Sequence, residues 1–287
     1  DGFVPVEEAV ADKYAIVVGI GDYPEESGWN RIHGNRDVEL VTGMLVRNGF
    51  AEDDIVRLTD AGATKGAIRN AFMSLSGRIK SGDRVYIHFS GHGQQMTDTD
   101  GDEEDGLDEA FVPYDALKEY SAGKYEGGNH ISDDELYLWL SDIADAAGAD
   151  GYVLVVIDAC HSGDATRGFG DGQDTVVVRG TADVFVIPQD PVEGTASGTV
   201  PGLVSSVEAY AAGTVPGTAS GSAGTGNAAS RISGSGDKGK EISWICLSAC
   251  KPYQNNYEYK SPDGYYGRLT WAMSRVLVPG MGVAELI

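Results

Sequence analysis

Five short runs of apolar residues, each rich in β-branched side chains, recur along the chain between polar and glycine-containing stretches. The apolar residues in these runs are mostly consecutive rather than alternating, least so in residues 54–59, which is typical of strands covered on both faces in a parallel sheet. The pattern therefore predicts buried strands at residues 14–20, 54–59, 84–90, 152–158 and 242–248.

Between these runs, apolar residues recur at the spacing of an amphipathic helix. Thr64 and Ser132 stand where N-caps are expected, and Glu135 completes a capping box with Ser132. Because strands and helices alternate, we predict an α/β fold class, a three-layer α/β/α sandwich around a mainly parallel sheet. The predicted helices cover residues 36–48, 64–80, 132–147 and 269–277.

Residues 194–239 interrupt this alternation. They are dense in Gly, Ser, Ala and Thr and contain the near-copies "GTASGTVPG" and "GTVPGTASG". A segment with so few large apolar side chains cannot form a core of its own, so we predict a long exposed loop or linker. This linker would divide one domain into two parts, residues 1–193 and residues 240–287.

The composition is that of a soluble globular protein, with 287 residues, 41% of them hydrophobic, and a mean hydropathy of −0.20. The net charge of −23 argues against nucleic acid or an anionic membrane as a partner, and suits a basic ligand, a metal cation or simple solvation. No apolar run is long enough to cross a bilayer. The first residues do not resemble a signal peptide, but a chain that starts with Asp1 is consistent with the removal of one.

Reactive side chains directly follow two of the predicted strands. Residues 84–90 lead to His92, and residues 152–158 lead to Cys160. In parallel α/β sheets, ligands bind beyond the carboxyl ends of the strands. A cysteine peptidase needs a nucleophilic thiolate, a histidine and backbone N–H groups that hold the oxyanion. We therefore predict a Cys160/His92 dyad if the two strands are neighbours, with the N–H groups of Gly93 and Cys160 as oxyanion donors.

Each of these side chains also has an ordinary structural interpretation, since a single Cys or His is commonly a buried or surface group without chemistry. Their joint placement at equivalent strand ends favours catalysis. We do not expect His161 to be the base, because adjacent side chains at a strand end point to opposite sides. His33 and His88 are interpreted as structural. Cys246 and Cys250 are interpreted as small buried apolar groups, since the cysteines fit neither a disulfide framework nor a zinc site.

The stretches "YIHFSGHGQQ" and "VVIDACHSGD" resemble the paired His and Cys motifs of the caspase-like cysteine peptidases, and are closest to those of metacaspases and bacterial orthocaspases. The resemblance extends to "YAIVVGIGDYP" in the first strand and to "LSACKPYQNNYE" and "YYGRLTWAM" near the end. It implies a caspase-like sheet in which residues 1–193 are large-subunit-like and residues 240–287 are small-subunit-like. Residues 194–239 have no counterpart in it.

The resemblance implies that Cys160 is the nucleophile and His92 the general base and acid. It also implies an acidic substrate pocket for Arg or Lys, with Asp37, Asp158 and Ser90 at the matching positions. The physics agrees, since two carboxylates hold a guanidinium well and repel an acidic side chain. For Asp37, stabilisation of a helix N-terminus is the alternative.

The acidic run "DTDGDEEDGLDEAFVPYD" lacks the residue order of an EF-hand, but its oxygen ligands suit Ca²⁺. The resemblance implies activation by Ca²⁺, with ligands at Asp108, Asp133 and Asp134. Asp164 is nearest to a further aspartate of the family, but is displaced. Asp133 and Asp134 are alternatively acids in the first turn of a helix.

Together these observations predict a cysteine endopeptidase that is modulated by Ca²⁺ and cleaves peptides or proteins after Arg or Lys. We expect a monomer, either in the bacterial cytoplasm or exported after removal of a signal. A catalytically silent binding module and a Ca²⁺-dependent interaction protein are the alternatives. Self-processing is expected in the exposed region after Cys160. Candidate sites there are Arg167, Arg179, Arg231, Lys238 and Lys240.

Overall fold

A six-stranded sheet forms the centre of the protein. The computed structural model describes residues 11–103, 105–160, 177–188, 229–230, 244–250 and 254–279. The strands of this sheet are β1 (Lys13–Gly19), β2 (Ile55–Thr59), β3 (Arg84–Ser90), β7 (Tyr152–Asp158), β8 (Ala229–Ser230) and β9 (Ile245–Ser248). The spatial order of the sheet is β2-β1-β3-β7-β9-β8, and the first five of these strands run parallel, while β8 pairs antiparallel with β9 at the edge.

Four helices among the described residues complete the three layers. Val38, Val41 and Met273 pack on one face of the sheet, so helices α1 (Gly34–Arg47) and α4 (Arg268–Val276) cover that face. The helices α2 (Lys65–Ser76) and α3 (Asp133–Ala147) cover the other face through their own apolar stripes. The N–H groups at the starts of α2 and α3 are capped by the predicted Thr64 and Ser132 side chains. These layers confirm the predicted α/β fold class.

Two small antiparallel sheets stand beside the central one. One consists of β4 (Gly93–Thr97), β5 (Leu107–Phe111) and β6 (Ile131–Ser132), and the other is a hairpin of β10 (Glu258–Ser261) and β11 (Gly264–Gly267). The sequence pattern did not predict either of them. Strand β4, with the sequence Gly-Gln-Gln-Met-Thr, has none of the apolar continuity that marks the central strands.

Most of the predicted linker, residues 194–239, lies outside the described residues, as do residues 242–243 of the last predicted strand. The exception within the linker is Ala229–Ser230, which forms β8. The division of the domain at these residues stays a prediction. Within the described part of the chain, no helix combines the length and the apolar character that a membrane crossing requires.

Candidate active site

Strands β3 and β7 are neighbours, and their last residues, Ser90 and Asp158, pair directly. His92 and Cys160 each follow two residues later, and both are buried. Gly180 lies between them, because it forms a parallel bridge with Gly93, and a Cβ placed on it would collide with the carbonyl oxygen of Cys160 and come within 2.7 Å of Sγ. The two strand ends therefore flank one stretch of backbone.

The orientation of His92 is set by groups that sequence reasoning missed. Its Nε2 lies 2.8 Å from the carbonyl oxygen of Asn30, which places the ring proton on Nε2 and leaves Nδ1 as the acceptor. Nδ1 has no hydrogen-bond partner among the described residues. The ring stacks on Trp29 with 4.9 Å between centroids, and the hydroxyl of Tyr23 accepts the backbone N–H of His92. Burial lowers the pKa of His92 to about 4, so the imidazole is neutral and able to accept a proton.

Residues 177–179 lie beside residues 256–258, and Val178 forms an isolated antiparallel bridge with Tyr257. The N–H of Arg179 donates to the carbonyl of Asn256 at 3.0 Å, and the N–H of Glu258 donates to the carbonyl of Val177 at 2.9 Å. The N–H of Cys160 donates to the carbonyl oxygen of Arg179 at 2.9 Å. An oxyanion formed at that carbonyl would meet the same donor. Of the two predicted oxyanion donors, Cys160 makes this contact, whereas Gly93 lies beside Gly180.

The side chain of Arg179 is fully buried, and all three residues predicted to form the substrate pocket surround it. Its Nη1 donates to Oδ2 of Asp37 at 2.7 Å and to the hydroxyl of Ser90. Oδ1 of Asp158 lies 4.0 Å from the same nitrogen. Nη2 donates to Oε1 of Glu258 at 3.1 Å. Glu258 is therefore a further pocket carboxylate that the sequence did not reveal, since no recognisable motif marks it.

The carboxylate of Asp158 acts on Arg179 mainly through its negative charge, because its oxygens are hydrogen-bonded to other groups. Its Oδ1 accepts the side-chain N–H of Asn256 at 2.6 Å, and its Oδ2 accepts the backbone N–H and hydroxyl of Thr270. Burial alone would raise the pKa of Asp158, but the charge of Arg179 and these hydrogen bonds outweigh it and hold the pKa below its usual range. The carboxylate therefore stays ionised in the pocket.

Among the described residues, the pocket holds more negative than positive charge, because Asp37, Asp158 and Glu258 face the guanidinium of Arg179. Burial raises the pKa of Asp37 to about 6, although Arg179 opposes the shift. Burial disfavours the charged guanidinium as well, but the surrounding carboxylates outweigh it and raise the pKa of Arg179. Such a pocket favours a cationic side chain and disfavours an anionic one.

The three predicted metal ligands lie together on the β4–β5–β6 side of the molecule. Asp108, Asp133 and Asp134 each offer a carboxylate oxygen, and these atoms lie within 4.8 Å of one another. Oδ1 of Asp108 is buried and has no hydrogen-bond partner among the described residues. Burial, reinforced by neighbouring negative charges, raises the pKa of Asp108 and of Asp133 to about 7 each. This donor set fits a hard cation such as Ca²⁺.

Two histidines interpreted as structural make structural contacts. His88 is buried between the hydroxyl groups of Tyr86 and Thr270, and burial lowers its pKa to about 4. His33 donates its backbone N–H to Glu258, and its Nδ1 lies 2.5 Å from the same carboxylate. It therefore helps to hold a wall of the pocket.

The interpretation of Cys250 as a buried apolar group is wrong. Cys246 is buried, whereas Cys250 is half-buried, and its Sγ lies 3.5 Å from the carbonyl of Ala159. A hydrogen bond with Cys160, together with burial, raises the pKa of the Cys250 thiol. Cys250 therefore lies next to Cys160, the proposed nucleophile. Several residues named in the sequence analysis lie outside the described residues: His161, Asp164, Arg167, Arg231, Lys238 and Lys240.

The parallel sheet, its flanking helices and the paired His and Cys strand ends define a caspase-like α/β domain. A family model described as "Metacaspase, peptidase C14 domain" matches residues 13–167, which is more than half of the chain. The chain therefore belongs to this family, as the resemblance of its His and Cys motifs predicted.

Curated relatives agree with this membership. Metacaspase-1 of Eremothecium gossypii is 34% identical over 166 residues, which are 55% of this chain and 33% of that protein. Metacaspase-1A of Neurospora crassa is 31% identical over 157 residues, 52% of this chain and 31% of that protein. The match thus spans about a third of each relative's length. A crystal structure of a protein from Geobacter sulfurreducens is similar with a TM-score of 0.43 and 26% identity, and the match covers 59% of this chain and 57% of that one.

Proposed function

We propose that this protein is a cysteine endopeptidase that cleaves peptide bonds after arginine or lysine. The observation that carries the proposal is the pose of Arg179. Its guanidinium lies in a pocket of carboxylates while its carbonyl oxygen accepts the N–H of Cys160. A substrate arginine before a scissile bond needs both contacts at once.

The proposed mechanism uses residues whose positions follow from the two strand ends. Nδ1 of His92 takes the proton of the Cys160 thiol, and Sγ of Cys160 attacks the carbonyl carbon of the bound arginine residue. The Cys160 N–H stabilises the oxyanion. The C–N bond then breaks, and His92 returns the proton to the leaving amine. Water attacks the thioester with His92 again as base, which releases the acid and restores the thiol.

The pocket supports a preference for arginine over lysine. The two terminal nitrogens of Arg179 reach different carboxylates, Asp37 and Glu258. A lysine ammonium is a single nitrogen and cannot span both in the same way. An aspartate side chain in this position would face the negative charges of Asp37, Asp158 and Glu258, and we expect it to be excluded.

The same pose supports self-cleavage at the bond between Arg179 and Gly180. Arg179 is the one candidate processing site within the described residues. The absence of a Cβ on Gly180 allows the close approach of Cys160, since any side chain there would collide with it. Because the bond is already presented within the same chain, its cleavage would be effectively unimolecular.

Ca²⁺ is part of the proposal as a modulator held by Asp108, Asp133 and Asp134. The bound ion would supply positive charge to this acidic cluster. Asp108 lies on β5, which pairs along β4, and β4 begins at the residue after His92. Relief of repulsion there would stabilise the strand next to the catalytic base.

The test is to incubate the protein with Ca²⁺ or with a chelator and to follow the intact mass and new N-termini. We expect a fragment that begins at Gly180 from the parent protein and none from Cys160→Ala. Arg179→Gln should lose this cleavage but hydrolyse a Val-Val-Val-Arg fluorogenic peptide in preference to a Val-Val-Val-Asp peptide. If Arg peptides bind but neither peptides nor chain are cleaved, the protein is a silent binding module.

A further inference from the structure

Beyond Gly180 the chain continues along β4, and we call residues 180–187 the downstream segment. The N–H of Phe185 donates to the carbonyl of Gln95 at 2.8 Å, and the N–H of Thr97 donates to the carbonyl of Phe185 at 3.0 Å. The N–H of Ile187 donates to the hydroxyl of Thr97. The downstream segment is thus added to β4 as a parallel neighbour.

Phe185 is the deepest side chain of the downstream segment, with 1% of its surface exposed. Its ring meets Tyr125 edge-on at 5.7 Å between centroids and lies 4.8 Å from the ring of His130. Gly127 closes the pocket, because a Cβ there would come within 2.9 Å of the phenylalanine ring. The apolar lining is completed by Trp29, Met96, Ala110, Val112 and Ala116.

The polar contacts of the downstream segment are weaker anchors. The side chain of Gln94 donates to the carbonyl of Asp183 at 2.9 Å and is itself held by His130. Lys118 pairs with Asp183 at 2.7 Å, but 72% of the Asp183 side chain is exposed, and exposed ion pairs contribute little. Burial of an aromatic ring contributes considerably more. Phe185 is therefore the main anchor of the downstream segment.

We propose that Phe185 is a positioning residue for self-cleavage, which holds the Arg179–Gly180 bond at Cys160 from its downstream side. The inference rests on the proposed self-cleavage. Arg179 secures the backbone before the bond, and Phe185 secures it after the bond. Strand β4 joins the two sites, since it starts directly after His92 and ends beside Phe185. The register of the downstream segment on β4 thus sets where the scissile carbonyl lies relative to the base.

The same anchoring makes the downstream segment a competitor of other substrates. While the segment is seated, Arg179 fills the pocket that a peptide arginine needs. A change that weakens its seating must lower self-cleavage and raise the apparent affinity for an added peptide, because the two occupants exclude each other. General damage to the fold would instead lower both.

The experiment compares Phe185→Ala, Phe185→Leu and the parent protein in two assays. Self-cleavage is followed by intact mass in the presence of Ca²⁺. Peptide binding is measured by fluorescence anisotropy with a labelled Val-Val-Val-Arg peptide in proteins that also carry Cys160→Ala, so that no chain is processed. Val186→Ala is the matched control, since Val186 is the next residue and 57% exposed.

We expect Phe185→Ala to slow cleavage at Arg179–Gly180 at least tenfold and to tighten peptide binding at least tenfold. Phe185→Leu should restore both values to within about threefold of the parent, because leucine refills most of the pocket. Val186→Ala should change neither. Unchanged self-cleavage in Phe185→Ala, or a loss of self-cleavage together with weaker peptide binding, would overturn the role of Phe185. Failure of the parent to cut at Gly180 would instead refute the proposed self-cleavage.

Discussion

Asp37→Asn tests whether the buried pocket recognises the charge of an arginine. Oδ2 of Asp37 accepts hydrogen bonds from Arg179 and Ser90, and both carboxylate oxygens accept the N–H of Gly267, at 3.1 and 3.2 Å. Asparagine keeps the shape of this side chain but replaces one acceptor with an NH₂ group. In one orientation the NH₂ group faces the guanidinium of Arg179, and in the other it faces the backbone N–H of Gly267. A hydrogen-bond donor therefore faces another donor in both cases.

The expected loss follows from the burial of the pair. Breaking a fully buried ion pair by removing one charge costs about 3–5 kcal/mol. Glu258 and Asp158 still face the guanidinium, so we expect the lower end of this range. A loss of about 3 kcal/mol corresponds to a decrease of roughly 150-fold in kcat/KM for an arginine peptide. The kcat/KM for a peptide with citrulline, the neutral isostere of arginine, should decrease far less.

The assay uses Arg179→Gln protein, in which the chain's own arginine no longer fills the pocket. Steady-state kcat/KM values for matched Arg and citrulline peptides are compared with and without Asp37→Asn. Asp142→Asn makes the same change of charge at an exposed position of α3 and serves as the control. A decrease of less than tenfold for the arginine peptide, or an equal decrease for both peptides, would refute charge recognition by Asp37.

Three further outcomes are expected. Because burial raises the pKa of Asp37 to about 6 and lowers the pKa of His92 to about 4, the self-cleavage rate should fall near pH 6 as the pocket loses the charge of Asp37, and Asp37→Asn should move the acid limb towards pH 4; an acid limb near pH 6 that persists in Asp37→Asn would contradict this. In Cys160→Ala protein, Ca²⁺ should raise the Tm, and Asp108→Asn should abolish the shift while the exposed control Asp105→Asn retains it; equal shifts in both would exclude Asp108 as a ligand. Gly180→Ala should slow self-cleavage at least tenfold, measured by intact mass, because its Cβ would collide with Cys160, and an unchanged rate would argue against the described pose.

Strands β1, β3 and β7 of the central sheet could be predicted well from the sequence because they are buried along nearly their whole length. The predicted residues 84–90 and 152–158 coincide with β3 and β7. Once these strands end side by side, the residues directly after them must be close in space. That reasoning placed His92 and Cys160 at one edge without knowledge of any contact, and the family resemblance added Ser90.

The parts that could not be predicted depend on tertiary contacts of ordinary residues. Asn30 acts through a backbone carbonyl, which any residue type supplies. Glu258 and Asn256 reach the pocket from the region of the β10–β11 hairpin. Their distance along the sequence from the His and Cys motifs does not indicate that they lie in the pocket. Arg179 was one of five equivalent basic candidates, and its place in the pocket depends on the pairing of residues 177–179 with residues 256–258.

The direct pairing of Ser90 with Asp158 has a consequence for how this family could vary in evolution. The spacing of the two strand ends is set by backbone hydrogen bonds within the sheet, about 4.8 Å between neighbouring strands, and not by the chain that connects them. Connections between strands can therefore lengthen at little thermodynamic cost, since loop-closure entropy grows only slowly with length. The glycine- and serine-rich residues 194–239 fall in the connection between β7 and β9. Inserted domains or grafted binding modules should be tolerated there without altering the relative positions of the two strand ends that carry His92 and Cys160.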